Sequence, residues 1–464
     1  MLVPIDYPPG LFRMGTEYQN DTRFFDSNLW RWAKGKSSPI GGWEQLGVST
    51  LTGNARDGHT WVDLNGVERL AVGTEQGLFL VSVAGAITDI TPVGWTDTNA
   101  DTSGWSIDNA GQQLFAVNSE DGVVYTWLPG DAQASALSGA PTATALMVTD
   151  ERILGLFAAG GDPRQIQWSD VEAFTTWTPT TTNFTRDFPL QSSGVIVGAR
   201  RIKGGALVFT SSDVHLMRFI LRPNVYGFDQ DGENCGLISE GAVVVLTDTA
   251  IWMGKDNFYR WAGGVDELQC PLHDDVFLEG TGLNKAHANK VRAIHLPKQN
   301  EIWWLYPKGS ATEINKAVVY NYFEGHWAHH DIVRLGGVQN DEGFDYPLMF
   351  GSDGIIWQHE KGSTRNGAGS IFARGGPKEL GSGDVIMYGN YLISDEANQG
   401  DVQTYVRTRL DPNGAETVAG PFTSASQRAG CSFVGRQAAL EHRLVSGSGV
   451  VGRYRFDVQP GGEG

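Results

Sequence analysis

The chain has 464 residues, 41% of them apolar and only 19% charged, with a formal net charge of −18. No run approaches the roughly 18 to 20 uninterrupted apolar residues of a membrane-spanning helix, so no membrane span is expected, and the acidic balance opposes a protein that grips nucleic acid through Lys and Arg. Three cysteines, Cys235, Cys270 and Cys431, are too few and too scattered for a disulfide framework or a zinc site, which leaves them as buried thiols in a reducing compartment.

The N-terminus, MLVPIDYPPGLF, lacks a basic region followed by an apolar stretch and is not read as a signal peptide. Residues 1–48 form an irregular, aromatic-rich arm too short for a core of its own. Trp30, Trp32 and Trp43 fall within 14 residues of it, and each forfeits roughly 1.5 to 3 kcal/mol if left in water. They need an acceptor: the C-terminal domain of the same chain or a neighbouring subunit, the plainer alternative being that the arm is an ordinary edge strand of that second domain. Arg23 and Arg31 are placed to pair with carboxylates across that contact.

From residue 49 to 365 one phrase recurs at about 45 residues, the period of a propeller blade. An apolar run, a small polar turn and a second apolar or aromatic run make a hairpin. The copies are LAVGTEQGLFLV from Leu70, LFAVNSEDGVVYTW from Leu114, LFAAGGDPRQIQW from Leu156, LVFTSSDVHLMRF from Leu207, IWMGKDNFYRW from Ile251, IWWLYPKG from Ile302 with VVYNYF from Val318, and LMFGSDGIIWQ from Leu348. One hairpin cannot bury both faces, so the copies must stack, which predicts a six- or seven-bladed β-propeller with these turns on the rim or outer strands. The last hairpin is expected to close the ring with residues 51–65. The weak helical patches, the longest near Asp274 to His287, are limited to a turn or two.

Residues 51–365 hold 21 basic and 38 acidic groups, a deficit of 17, whereas residues 1–50 and 366–464 together hold 14 and 15. The charge therefore belongs to the propeller. Within it HWAHHD places His326 and His330 on one face of a strand, and DQDGEN offers Asp229 and Asp231 around Gly232. These are the candidate metal ligands, set against the plainer readings of a polar strand end and a solvated turn. The turns TEQG, SEDG and SDG brace hairpins. No pair of facing carboxylates with positioning cations is apparent, so no catalytic residue and no cofactor is assigned, and a glycosidase is not favoured.

KGSTRNGAGS, Lys361 to Ser370, marks a linker. Beyond it, residues 366–464 carry strands of another style. VQTYVRTRL sets Val402, Thr404, Val406 and Thr408 against Gln403, Tyr405, Arg407 and Arg409, and VVGRYRFDV alternates similarly, as in a C-terminal β-sandwich-like platform.

RFFDSNLWRWAKGKSSPIGGWE, Arg23 to Glu44, resembles the opening of a family of tailed-phage virion proteins, in which R-F-x-D-x-N-L-x-R-W precedes G-x-x-x-P-I-G-G-W. VGRQAALEHRLV from Val434 and YRFDVQPGG from Tyr454 are similar to its closing strands. The whole resembles the tail nozzle, or packaged-DNA stabilisation, proteins of short-tailed phages. That resemblance implies a propeller joined to a platform, a homo-hexamer, and a place in the virion tail after synthesis in the host cytoplasm. Its implied partners are the tail adaptor, a tail fibre or tailspike, and duplex DNA that passes without tight binding. It implies no catalytic residues and no cofactor. The bore would narrow through long inserts such as 221–235 or 263–290. Two rivals stand beside it: a carbohydrate-binding or glycosidase-like propeller, and a neck or tail-tip protein of a longer-tailed phage. The assembly reading expects that removing residues 1–48 and 366–464 leaves a soluble, monomeric propeller.

Overall fold

A computed structural model describes residues 1–340, 343–381, 383–423 and 428–461; Gly462 of the closing phrase lies outside them. Each of the seven quoted hairpins forms the second and third strands of a four-stranded antiparallel sheet. They are thus middle strands, and the turns that join them lie at the ends of the blades. The pattern explains why: the middle strands are covered on both faces by neighbouring blades and read as nearly continuous apolar runs, such as Leu70–Val72 and Trp303–Leu305, all fully buried.

The innermost strands are Ala55–Val62, Trp105–Ala110, Ala145–Val148, Ile196–Ile202, Val243–Val245, Arg292–Leu296 and Gly336–Val338. They adjoin in that order around an axis, and the seventh meets the first. Among the described residues there are therefore seven blades. The seventh is composite: Gly336–Val338, Leu348–Phe350 and Ile356–His359 take Trp43–Gln45 of the arm as their outer strand. The ring closes through residues 43–45, while residues 55–62 form the inner strand of blade 1, which corrects the expected closure by 51–65.

Apolar side chains fill the spaces between blades. Buried tryptophans there also satisfy their indole N–H groups: Trp105 donates to the Thr74 carbonyl of blade 1 at 2.8 Å, and Trp304 of blade 6 to the Ala242 carbonyl at 3.0 Å. Blade 2 lies so close to blade 1 that a Cβ on Gly73 would sit 2.3 Å from the Trp105 ring. Only glycine fits there.

Apart from a separate arm hairpin, Trp30–Ala33 with Lys36–Pro39, the remaining strands form a platform of two antiparallel sheets. One holds Leu2–Ile5, Tyr454–Pro460, Met387–Ile393 and Arg428–Gly435. The other holds Phe24–Asn28, Phe372–Gly375, Gln437–Leu444, Val402–Arg409 and Thr417–Thr423, with Lys378–Glu379 pairing on Gln437–Leu444. The alternation in VQTYVRTR is realised, with Val402, Thr404, Val406 and Thr408 buried. His442 of one sheet packs on Tyr454 of the other at 4.4 Å. The arm is thus divided, supplying a strand to each platform sheet and one to the propeller. Residues 221–235, expected as an insert, are mostly the outer strand of blade 4, Val225–Glu233. Within 263–290 lie the outer strand Val265–Leu268 and only short helical turns.

Candidate functional site: the arm junction and the propeller axis

The arm meets the outer edge of blades 6 and 7. Trp30, Trp32 and Trp43 are all buried within the one chain, so their acceptor is intramolecular and not a neighbouring subunit. Trp30 donates to Ser37 Oγ at 2.9 Å, Trp43 to the Asn366 carbonyl at 3.0 Å, and Trp32 packs on Phe24 at 4.8 Å. One core runs without interruption from blades 4 to 7 through these rings into the platform.

Arg31 lies at the centre of this contact. Its Nε and Nη2 donate to both oxygens of Glu301 at 2.6 and 2.8 Å, and Nη1 and Nη2 to both oxygens of Glu360 at 2.8 and 2.9 Å. All three side chains are at least nine-tenths buried. Burial alone would favour a neutral guanidine, but the two carboxylates outweigh it and push the Arg31 pKa up. Burial likewise works against the Glu360 carboxylate, and Arg31 more than reverses that, holding its pKa down. Arg23 makes no such pair; it is exposed and lies 5.7 Å over the Phe12 ring.

Beside this clamp, Arg13 bridges Asp26 of the arm and Asp275 at 2.5 and 2.8 Å, and His329 faces the same two carboxylates at 3.1 and 3.2 Å. Asp275 is held far below the usual carboxylate range: burial opposes ionisation, but His329, Lys308 and Arg13 outweigh it. The proposed metal ligands are not brought together. His326 bonds the Trp32 carbonyl at 2.6 Å, while His330 is buried against Trp303 at 4.7 Å, its basicity suppressed by burial. Asp229 pairs with Arg218, and Asp231 accepts the Trp261 indole proton at 2.8 Å on a different blade. Among the described residues no His, Cys, Asp and Glu side chains cluster as a metal site.

The propeller axis departs from the sequence reading. The inner strands bring Asp57 of blade 1, Arg200 of blade 4 and Arg292 of blade 6 around Glu240, which stands on the connection into blade 5. Arg200 donates to Glu240 Oε1 at 2.5 Å and to its carbonyl at 2.9 Å. Arg292 spends Nε on the Arg56 carbonyl and Nη1 on the Asn289 and Val291 carbonyls. Burial, then the charge of Glu240, pushes the Asp57 carboxyl up to about 7, against the pull of Arg292 and Arg200. Paired carboxylates with flanking cations therefore do exist. The signal was an arginine in the inner strands of blades 1, 4 and 6 (ARD, ARR and VRA), one strand before the hairpins that dominate the pattern.

Two cavities lie on the axis, of about 340 and 230 Å³, and Arg292 lines both. Arg292 of blade 6 reaches the Arg56 carbonyl of blade 1, so the charged layer sits across the axis. Glu240 Oε2 is enclosed without a hydrogen-bond partner, so the arrangement can hold a proton near neutral pH but does not present both carboxylates to a substrate.

Asp57 has a folded pKa above its unfolded one, so the native state holds a proton the unfolded chain releases, and the contribution of this group to stability falls as pH rises from about 4 to about 7 and is flat beyond. Asp57→Asn is expected to raise stability by about 1 to 3 kcal/mol at pH 8, and to have little effect near pH 4. Urea unfolding at both pH values checks this.

No family model matches the chain, and no curated protein matches it. Among solved structures it is similar to virginiamycin B lyase from Staphylococcus aureus, with a TM-score of 0.45 and 10% identity over 68% of this chain and 98% of that one. It is also similar to the WD40 domain of Pan2 from Neurospora crassa, with a TM-score of 0.43 and 10% identity over 70% and 97%. These are likenesses of fold alone, and the seven radial sheets establish the chain as a β-propeller protein with a second, two-sheet platform.

Proposed function

We propose that this chain is a structural protein of a phage tail, a nozzle subunit that assembles as a hexamer beneath the tail adaptor and beside a tail fibre or tailspike. In that role it retains the packaged genome and conducts DNA at ejection. The observation that carries the reading is the junction. The arm segment that resembles the virion family, Arg23 to Glu44, is the one that joins platform, clamp and seventh blade. Gln437–Leu444 and Tyr454–Pro460, which carry the closing phrases, are interior strands of the two platform sheets. Two bodies sharing one core and a buried ionic clamp suit a load-bearing part.

Because the charged layer crosses the propeller axis, the conduit in this reading runs between subunits. The tryptophans no longer call for a partner subunit, so the hexamer rests on the resemblance. An acidic propeller gives a passing duplex no counterion-releasing contacts, and DNA affinity weaker than micromolar is expected even at low salt. Native mass spectrometry and negative-stain imaging of the full chain, alone and with its adaptor, should give six-fold rings. A strict monomer under both conditions, or tight duplex binding in an anisotropy titration, would sink the reading.

A carbohydrate-active propeller is the second reading, favoured by the Asp57 and Glu240 pair. The enclosure of Glu240 Oε2 weighs against it. Turnover of polysaccharides that is abolished by Asp57→Asn would establish it.

A further inference from the structure

Arg334 stands in a cleft of about 530 Å³ between blade 7, the arm and the linker, walled by Trp43, Trp357, Asp353 and Asn366. Its side chain is only 8% exposed. The guanidinium is held between two indoles, 5.2 Å from the Trp43 ring and 5.2 Å from the Trp357 ring. Nε donates to His359 Nε2 at 2.9 Å and Nη1 to the Val333 carbonyl at 2.8 Å. Since arginine can only donate, His359 Nε2 is the acceptor and its proton sits on Nδ1.

Among the described residues Arg334 has no ion pair, and Nη2 has no acceptor. This is unlike Arg31, which shares the same core and satisfies its guanidinium with two carboxylates. A buried cation without a counterion is costly, and a leucine or methionine would pack as well between two indoles. The desolvation shows as a pKa lowered to about 10, which the nearby Asp353 only partly opposes. Asp353 is exposed and accepts the Ile355 N–H. Asp331, also at the cleft, pairs with Lys316 at 2.7 Å. Neither carboxylate lies within ion-pair distance of Arg334.

We propose that this cleft is a carboxylate-binding site, with Nη2 of Arg334 as its fixed donor. The two indoles orient the guanidinium, and His359 and the Val333 carbonyl hold its other edges, so that Nη2 alone is left to donate to a ligand. Asp353 and Asp331 disfavour a dianion and leave a monoanion as the fitting charge. The volume admits an organic acid of monosaccharide size, and an acidic side chain from a second copy of the chain would present the same group.

Calorimetric titration of the full chain with glucuronate, and with glucose as the uncharged control, separates these sources from a structural role. A free acid as ligand gives saturable glucuronate binding with a dissociation constant below about 1 mM. It gives none with glucose, and at least about tenfold weaker binding in Arg334→Met. A side chain of a second copy gives no glucuronate binding but concentration-dependent self-association in light scattering, lost in Arg334→Met. In both cases Arg334→Met keeps or raises the melting temperature. If neither binding nor self-association depends on Arg334, or if Arg334→Met melts markedly lower while Arg334→Lys does not restore either readout, the site assignment is overturned.

Discussion

Arg31→Met is expected to destabilise the protein by about 3 to 5 kcal/mol, because it leaves Glu301 and Glu360 buried without their counterion. The loss is one of compensation more than of contact area: methionine keeps most of the stem, so packing changes little. Glu360 also accepts the Gly41 N–H at 3.2 Å and Glu301 the Trp303 indole N–H at 2.9 Å, so neither carboxylate can turn out to water without breaking another bond. Adding Glu301→Gln and Glu360→Gln to Arg31→Met should recover part of the loss, since neutral amides pay less for burial than charges. The pH dependence has a definite sign. Glu360 and Asp275 have folded pKa values below their unfolded ones, so their contribution is present above about pH 4.5 and is lost as pH falls through the folded values. Acid should therefore weaken the wild-type junction, and Arg31→Met should flatten that dependence by removing the Glu360 part. Urea midpoints across pH 3 to 7, with proteolysis of the linker Lys361 to Ser370 as a second reporter, test both statements. An Arg31→Met protein as stable as wild type at pH 7 would show that the clamp contributes nothing net.

Removing residues 1–48 is expected to abolish folding of the propeller, which reverses the expectation drawn from the sequence. The deletion takes away Trp43–Gln45, the outer strand of blade 7, and exposes the edge Ile356–His359. It also strips Arg31 from Glu301 and Glu360, and Trp43 from Arg334 and His359. Trp30, Trp32, Ile40 and Trp43 are each no more than 3% exposed. At roughly 1.5 to 3 kcal/mol for each, their loss amounts to about 6 to 12 kcal/mol, comparable with the whole stability of a typical domain, about 5 to 15 kcal/mol. An exposed strand edge then invites aggregation. The deletion protein should be insoluble or lack cooperative unfolding by near-ultraviolet dichroism, with or without residues 366–464. A soluble monomer with a sharp transition would mean that six complete blades hold the seventh closed without the arm.

What the sequence by itself determined is what local physics controls. Each hairpin is set by a short turn and two adjacent apolar runs, so its strands find each other regardless of the rest of the chain. Seven such phrases at a blade-like period define a propeller. The period of two in VQTYVRTR likewise separates the platform's buried face from its polar one without reference to any partner. Tertiary structure decided everything that depends on pairing across hundreds of residues. Trp43 pairs with His359, more than 300 positions away, and nothing in GGWEQ marks it as a strand of the last blade. The blade number therefore waited on the closure. The same holds for the acceptor of the arm tryptophans, for Arg31 with its two glutamates, and for the charged layer on the axis. Asp57, Arg200, Glu240 and Arg292 come from well-separated segments, and their mutual effects on charge exist only once the ring brings them together in a place with little water.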